Sequence, residues 1–206
     1  WQSTLEEAVS LAPEHISTYG LTIEKGTTFW SKRRKGDLIL LPEETEREMY
    51  SLAMERLPDA GFQQYELSNF AQPGRTCQHN EVYWTGLPFY GFGPGAARYI
   101  DGIRTTNHRS VTSWIKRVLA NRSMVGDEEQ LSPEDRAREI LVISLRRTEG
   151  ISKSEFHIRT GYFPDEISGE AISRNKKVGL LEETATHLRL SREGRFLADT
   201  VIVDCL

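Results

Sequence analysis

The order of patterns in the first third of the chain restricts its fold more than any other feature. Leu5, Ala8, Val9 and Ala12 recur at helical spacing until Pro13 stops them. His15-Ile16-Ser17-Thr18-Tyr19-Gly20-Leu21-Thr22-Ile23 is rich in β-branched and aromatic residues and predicts a strand. A polar loop follows, with Lys32, Arg33, Arg34, Lys35 and Gly36. Leu41-Pro42-Glu43-Glu44 then reads as a helix start, with acids where the macrodipole favours negative charge. Met49, Leu52, Ala53, Arg56 and Leu57 extend that helix toward Gly61, and Phe62-Gln63-Gln64-Tyr65-Glu66-Leu67 alternates as a second strand. Strand, helix, glycine and strand in that order are the rhythm of βαβ units, so an α/β fold with a mainly parallel sheet is expected.

The middle of the chain is irregular, with Ala71-Gln72-Pro73-Gly74, Gly86-Leu87-Pro88 and Gly91-Phe92-Gly93-Pro94-Gly95-Ala96-Ala97. Arg98 to Thr106 predicts a hairpin turning at Asp101-Gly102. Trp114, Ile115, Val118 and Leu119 mark a further helix, and the composition changes after about Ser123. Ser132-Pro133-Glu134-Asp135 is an N-cap signature opening a helix with Ala137, Ile140, Leu141, Ile143 and Leu145. Short helices are expected around Lys153–Thr160 and Asp165–Val178, then a ribbon from Leu180-Leu181-Glu182-Glu183 and His187-Leu188-Arg189-Leu190. A closing helix begins at Ser191. Two domains are expected, 1–123 and 124–206, the second a small winged-helix-like helical domain.

A hydrophobic content of 38%, a charged content of 27% and a net charge of -4 over 206 residues describe a globular chain able to bury a core. The acidic balance speaks against general nucleic-acid binding, which depends on neutralising phosphates. No apolar run is long enough to span a bilayer, and no segment reads as a signal peptide. Cys77 and Cys205 are too few and too far apart for a disulfide framework, so a reducing, cytoplasmic setting is expected. The chain opens at Trp1 in the style of a helix already under way, and is expected to be an excerpt of something longer.

Cys77, His79, Asn80, Tyr83 and Trp84 lie between two glycine- and proline-rich turns. A Cys-x-His pair supplies two metal ligands, whereas a structural zinc needs four and no second cluster is present. A haem iron needs only one or two axial ligands, and aromatic neighbours can stack on a flat macrocycle. The competing reading is a packed turn, with His79 and Asn80 bonding loop backbone and Tyr83 and Trp84 in the core. Residue chemistry by itself favours the turn. The Gly91–Ala97 run lets backbone approach a ligand closely, or simply makes a tight turn. It is not the dinucleotide fingerprint, since Ala96 replaces the third glycine and Pro94 interrupts the loop. Polar residues in Tyr65-Glu66-Leu67-Ser68-Asn69 and His15-Ile16-Ser17-Thr18-Tyr19 fall where strand-end ligand sites occur, or are ordinary edge polarity. His157 and His187 read as surface or packing residues. No G-x-S-x-G elbow or Ser/His/Asp pattern supports nucleophilic catalysis.

Four blocks in order carry a resemblance to a known family. They are His15-Ile16-Ser17-x-Tyr19-x-Leu21-Thr22-Ile23-Glu24-x-Gly26-Thr27, and Gly61-Phe62-x-Gln64-Tyr65-Glu66-x-Ser68-Asn69-Phe70-Ala71-x-Pro73-Gly74. His79-Asn80-x-x-Tyr83-Trp84 and Tyr90-Gly91-x-Gly93-Pro94-Gly95-Ala96 complete the set. A weaker match follows at Gly179-Leu180-Leu181 and Leu188-Arg189-Leu190-Ser191-x-x-Gly194-Arg195. Together they resemble the oxygen-independent coproporphyrinogen III oxidase-like radical-SAM proteins, and the H-N-x-x-Y-W block is similar to their haem chaperone branch.

The resemblance implies the C-terminal part of a partial (βα)6 barrel, with Ile16–Ile23 as its sixth strand, followed by the small domain. It implies a parent with a [4Fe-4S] cluster and S-adenosylmethionine. The cluster motif C-x-x-x-C-x-x-C is absent from this chain, which is therefore expected to be catalytically silent. On the S-adenosylmethionine side only Thr22, Gly91, Gly93 and Ala97 would remain. His79 would ligate haem iron, Asn80, Tyr83 and Trp84 would shape the haem pocket, and Cys77 would sit beside it. The implied function is haem binding and delivery to acceptor proteins, the alternative being the oxidase of porphyrin biosynthesis. A third reading, residues 132–206 as a winged-helix DNA reader, finds Arg174, Lys176 and Lys177 but also Asp165, Glu166 and Glu170, with no net basic stripe. A barrel lacking strands would expose edges, so self-association is also expected.

Overall fold

The computed structural model describes residues 1–206, which divide into two compact units, Trp1–Thr76 and Cys77–Leu206. The first contains α1 (Gln2–Ser10), β1 (His15–Ser17), α2 (Thr28–Lys35), α3 (Glu43–Asp59), β2 (Gln63–Gln64) and β3 (Asn69–Ala71). Its core joins Leu5 of α1 and Ala53, Met54 and Leu57 of α3 to Phe62, Leu67 and Phe70, all buried.

The sheet of this unit has the order β1-β3-β2, and both pairings are antiparallel. The expected direct parallel pairing is therefore corrected. The helical crossover does leave β1 and β2 running the same way, but β3 folds back between them. The cause is a turn inside the expected strand Phe62–Leu67. The buried Glu66 carboxylate accepts from the backbone N–H of Ser68 and from the Asn69 amide, which ends β2 at Gln64. The expected strand His15–Ile23 is likewise confined to three residues. β1 can pair only as far as β3 extends, and beyond the Thr18 N–H to Ser68 carbonyl bond Tyr19 and Leu21 stand exposed. A strand needs a partner as well as a composition.

The expected polar loop at Lys32–Gly36 is the end of α2. Thr27 caps the helix by accepting from the Trp30 N–H, Gly36 closes it at φ +80, and its four basic residues occupy the last turn. Positive charge there complements the helix dipole.

The second unit begins with α4 (Gln78–Trp84), then β4 (Ala97–Ile100), β5 (Ile103–Asn107), α5 (Val111–Leu119) and β6 (Val125–Gln130). The hairpin turns at Asp101 and Gly102 as expected, both with positive φ. β6 was not legible in advance. It pairs with β5 although its sequence, Val-Gly-Asp-Glu-Glu-Gln, offers a single branched apolar residue. Residues 78–84, for which residue chemistry favours a turn, form a helix instead, with Cys77 just before it.

The remainder contains α6 (Pro133–Ser144), β7 (Ile151–Ser152), α7 (Lys153–Thr160), α8 (Pro164–Lys177), β8 (Leu181–Glu183), β9 (His187–Leu190), α9 (Arg192–Phe196) and α10 (Ala198–Cys205). Ser132 caps α6 by accepting from the Asp135 N–H. The sheet order is β7-β9-β8, antiparallel throughout. Leu141, Leu145, Ile172, Leu188, Leu190 and Val201 are fully buried between the helices and this sheet. The single closing helix expected after Ser191 is two, broken at Leu197 (φ -118, ψ 26). No helix is long and apolar enough to cross a membrane.

Candidate functional site

α4 is a seven-residue helix with no fully buried residue, too short to persist through its own hydrogen bonds. Its ends are fixed locally. Thr85 donates its hydroxyl to the Glu81 carbonyl at 2.5 Å, and Gly86 and Leu87 close the last turn by donating to Tyr83 and Val82. One face of the helix lies against α6 and the turn after it. The Ser144 hydroxyl donates to the Trp84 carbonyl at 3.0 Å, and the Arg146 guanidinium lies 4.7 Å from the Trp84 ring. Arg147 donates through Nε to Glu81 at 3.0 Å, and Arg159 donates to the Gly86 carbonyl at 3.2 Å.

The other face carries His79 and Tyr83, four residues apart and so one above the other. The His79 ring is exposed and meets the Tyr83 ring edge-on at 5.0 Å, and neither of its nitrogens makes a hydrogen bond. Tyr83 meets Phe89 at 4.7 Å. Phe89 and Tyr99 exchange two backbone hydrogen bonds of 2.9 Å, and their rings are 6.4 Å apart. Tyr99 is buried, with the Arg136 and Arg104 guanidinium groups 5.1 and 6.0 Å from its ring. A ladder of rings thus runs from the sheet to the exposed imidazole.

Of the expected site residues, His79 and Tyr83 share this exposed face. Asn80 is half-buried beside it, and Cys77 is the residue preceding the helix. Trp84 belongs to the opposite contact under Arg146, and its indole N–H is buried without a partner. Glu81, Phe89, Arg146 and Arg147 were not singled out in the sequence. Glu81 occupies a variable position of the motif, and the arginines follow an apolar run with nothing in their spacing to mark a partner so far back.

The glycine run begins beside this ladder. A Cβ on Gly91 would fall onto the Ala97 carbonyl, 2.5 Å from its carbon. Gly93 (φ +96) and Gly95 (φ +72) turn the chain, and the Asn107 amide donates to the Gly93 carbonyl at 2.9 Å. Ala97 is exposed at the start of β4, and Tyr90 and Phe92 form an exposed stacked pair. Thr22 is exposed in the irregular segment after β1, in the first unit.

At the end of β1 the polar residues do assemble. The Ser17 hydroxyl donates to Asn69 at 2.5 Å and Asn69 donates to Glu66, both of the latter buried. His15 shares a hydrogen bond of 2.9 Å with the Tyr65 hydroxyl, and burial lowers its pKa. His157 is exposed and stacks on Phe163, while His187 sits 3.8 Å from Glu149.

An iron–sulfur cluster needs several cysteine thiolates, and this chain does not supply them. No group of three His, Cys, Asp or Glu side chains could hold a metal ion. Cys77 is half-buried before α4, and Cys205 is buried in α10, where burial pushes its thiol up to about 11. A haem iron asks only for an accessible nitrogen ligand, and among the residues around α4 the exposed His79 imidazole is such a nitrogen donor, beside the Tyr83 ring.

Comparison with known proteins identifies the family. Residues 131–197 match the HemN C-terminal domain. The chain is 33% identical to the Heme chaperone HemW of Bacillus subtilis over 200 residues, covering 97% of this chain and 53% of that protein. It is 38% identical to the Heme chaperone HemW of Synechocystis over 155 residues, covering 74% of this chain and 37% of the relative. It thus spans about half or less of the length of these relatives. The fold matches the radical SAM enzyme coproporphyrinogen III oxidase (HemN) of Escherichia coli with a TM-score of 0.77 at 15% identity, over 99% of this chain and 50% of that one. The chain belongs to the oxygen-independent coproporphyrinogen III oxidase-like radical-SAM family, on its haem chaperone branch, with the family's C-terminal domain at residues 131–197.

Proposed function

We propose that this chain is the haem-binding portion of a protein that receives haem and delivers it to acceptor proteins in the cytoplasm. The observation that carries the proposal is the exposed His79 imidazole, held over Tyr83 at the end of a ring ladder, with both nitrogens unengaged. His79 is assigned as the ligand to haem iron, with Tyr83 and Asn80 bordering the macrocycle. Trp84 supports the helix from behind and does not line the pocket. The names of the curated relatives support the same reading. The domain division near residue 123 belongs to this proposal. So do a winged-helix identity for the small domain, supported by its helix–strand–helix–helix–hairpin order, and the placing of residues 1–123 as the end of a partial barrel.

S-adenosylmethionine and a [4Fe-4S] cluster belong to the proposed parent, and this chain contributes no cluster ligand. Thr22, Gly91, Gly93 and Ala97 are its proposed remnant of the S-adenosylmethionine side. Self-association of the chain is also proposed, on the strength of exposed side chains such as Ile39 and Phe92. The second reading, an oxygen-independent coproporphyrinogen III oxidase, draws on the fold match. A nucleic-acid role is disfavoured, because Arg174 is paired with Asp204 and Lys176 with Glu183.

Titration of the protein with haem, followed through the Soret band, tests the assignment. His79→Ala is expected to weaken binding at least tenfold and alter the ligand-field spectrum, whereas Trp84→Phe is expected to retain that spectrum. An unchanged titration for His79→Ala would return His79 to an ordinary surface residue.

A further inference from the structure

We propose that Glu81 and Arg147 are positioning residues for haem capture, fixing α4 so that His79 is presented in one orientation; the inference rests on the assignment of His79 as the haem ligand. α4 needs an external support, being seven residues long and nowhere fully buried. Arg147 is suited to provide it because the turn that projects it is itself rigid. Leu145 is fully buried, Arg147 donates its N–H to Ser144, and Gly150 donates back to Arg147. Gly150 is packed too closely against Leu188 and Arg189 of β9 to admit a side chain.

The ion pair itself is well placed. Both side chains are only 25% exposed, and Nε of Arg147 reaches Glu81 Oε2 at 3.0 Å. Its Nη2 reaches Glu149 at 3.3 Å, so the guanidinium is held between two carboxylates of very different exposure, Glu149 being 65% exposed. Glu81 is two residues from His79 and two from Tyr83, on the opposite side of the helix from both. His79 stands over Tyr83 only while the turn between them is wound, so fraying of α4 after loss of the pair would carry the imidazole off that place. Charge-assisted hydrogen bonds resist such fraying more strongly than neutral ones.

A double-mutant cycle on the protein tests the proposal, using Glu81→Gln, Arg147→Met and their combination, with Glu149→Gln as reference. Haem affinity is one readout. The other, in haem-free protein, is the His79 imidazole proton resonance, which the Tyr83 ring displaces. Each single variant is expected to weaken haem binding about three- to tenfold and to move the His79 resonance. The double variant should lose no more than either single one, because the two residues act through each other. Glu149→Gln leaves the Glu81 contact intact and should behave as the parent.

Additive losses, or native affinity and an unmoved His79 resonance in correctly folded single variants, would overturn the proposal. Tighter binding by Glu81→Gln would also overturn it, since that would mean a released Arg147 meets the haem directly. Circular dichroism and the melting temperature identify variants that fail to fold. For such a variant the conservative Arg147→Lys replaces Arg147→Met, and Glu81→Asp replaces Glu81→Gln. If haem fails to bind the parent protein, the functional reading falls, and the His79 resonance still decides whether the ion pair orients the imidazole.

Discussion

Gly91→Ala probes the least forgiving point near the candidate site. The added methyl would land on the Ala97 carbonyl, 2.5 Å from its carbon and 3.2 Å from the Ala96 carbon, so backbone must move. Two sets of bonds flank that carbonyl: the Phe89–Tyr99 exchange on one side and the Asn107 N–H to Ala96 bond on the other. Overpacking alone costs roughly 1–3 kcal/mol, and weakening one neighbouring backbone bond adds about 1 kcal/mol, so roughly 2–4 kcal/mol is expected. Gly93→Ala is the matched control. Its φ of +96 disfavours a side chain, but nothing lies within 4 Å of the added atom, so about 1–2 kcal/mol is expected. For a chain of this length the two losses correspond to melting-temperature drops of roughly 4–16 °C and 2–8 °C. Urea melts of both variants, read by circular dichroism and by Trp fluorescence, give the comparison at constant temperature. A loss in Gly91→Ala no larger than that in Gly93→Ala would refute the steric reasoning.

Four further outcomes are expected. Burial pushes the Cys205 thiol to about 11 from an ordinary 9.0, so its contribution is complete below pH 9 and disappears as pH rises toward 11, when only the unfolded chain ionises. The difference between the stability profiles of the parent and Cys205→Ala should carry that slope, and alkylation under native conditions should reach Cys77 before Cys205. Hydrogen bonds from Lys153 and Lys176 hold the Glu183 carboxyl below its usual range, so the stability it adds is present above the ordinary carboxylate pKa and lost as pH falls through its lowered value. Acid titration of Glu183→Gln should show a shallower decline than the parent. Ser132→Ala removes the α6 cap and should cost about 1 kcal/mol in chemical denaturation. Incubated with S-adenosylmethionine and a strong reductant, these 206 residues should release no methionine by chromatography, since they offer no cluster-ligand set.

Helices α5 to α8 of the second unit are legible in the sequence because their signals are local. Ser132-Pro133 names the start of α6, and Asp101-Gly102 names the hairpin turn, each through backbone chemistry within four residues. The strands were harder wherever their existence depends on a partner. β6 is polar and is held by its pairing with β5, and β1 stops where β3 stops, although its composition runs six residues further. The reversal at Glu66 was hidden for a related reason. A buried carboxylate that accepts from the residues two and three further on looks, in one dimension, like the polar half of an alternating strand.

The candidate site divides along the same line. Helical spacing places His79 and Tyr83 on one face, but the glycine-rich stretches on either side point to a turn. The segment is helical because of groups that sequence spacing does not connect to it: Ser144, Arg146, Arg147 and Arg159, contributed from α6, the turn after it and α7. Those contacts also separate the two aromatic residues of the motif, which the resemblance treats alike. Tyr83 is half-buried between the imidazole and Phe89, whereas Trp84 is spent on the support, its carbonyl and ring both engaged by the far side. On this geometry the histidine and tyrosine concern the ligand, and the tryptophan concerns the helix that offers them. Loss of Trp84 should therefore reach haem binding only through the stability of α4, with the iron spectrum of the bound fraction unchanged.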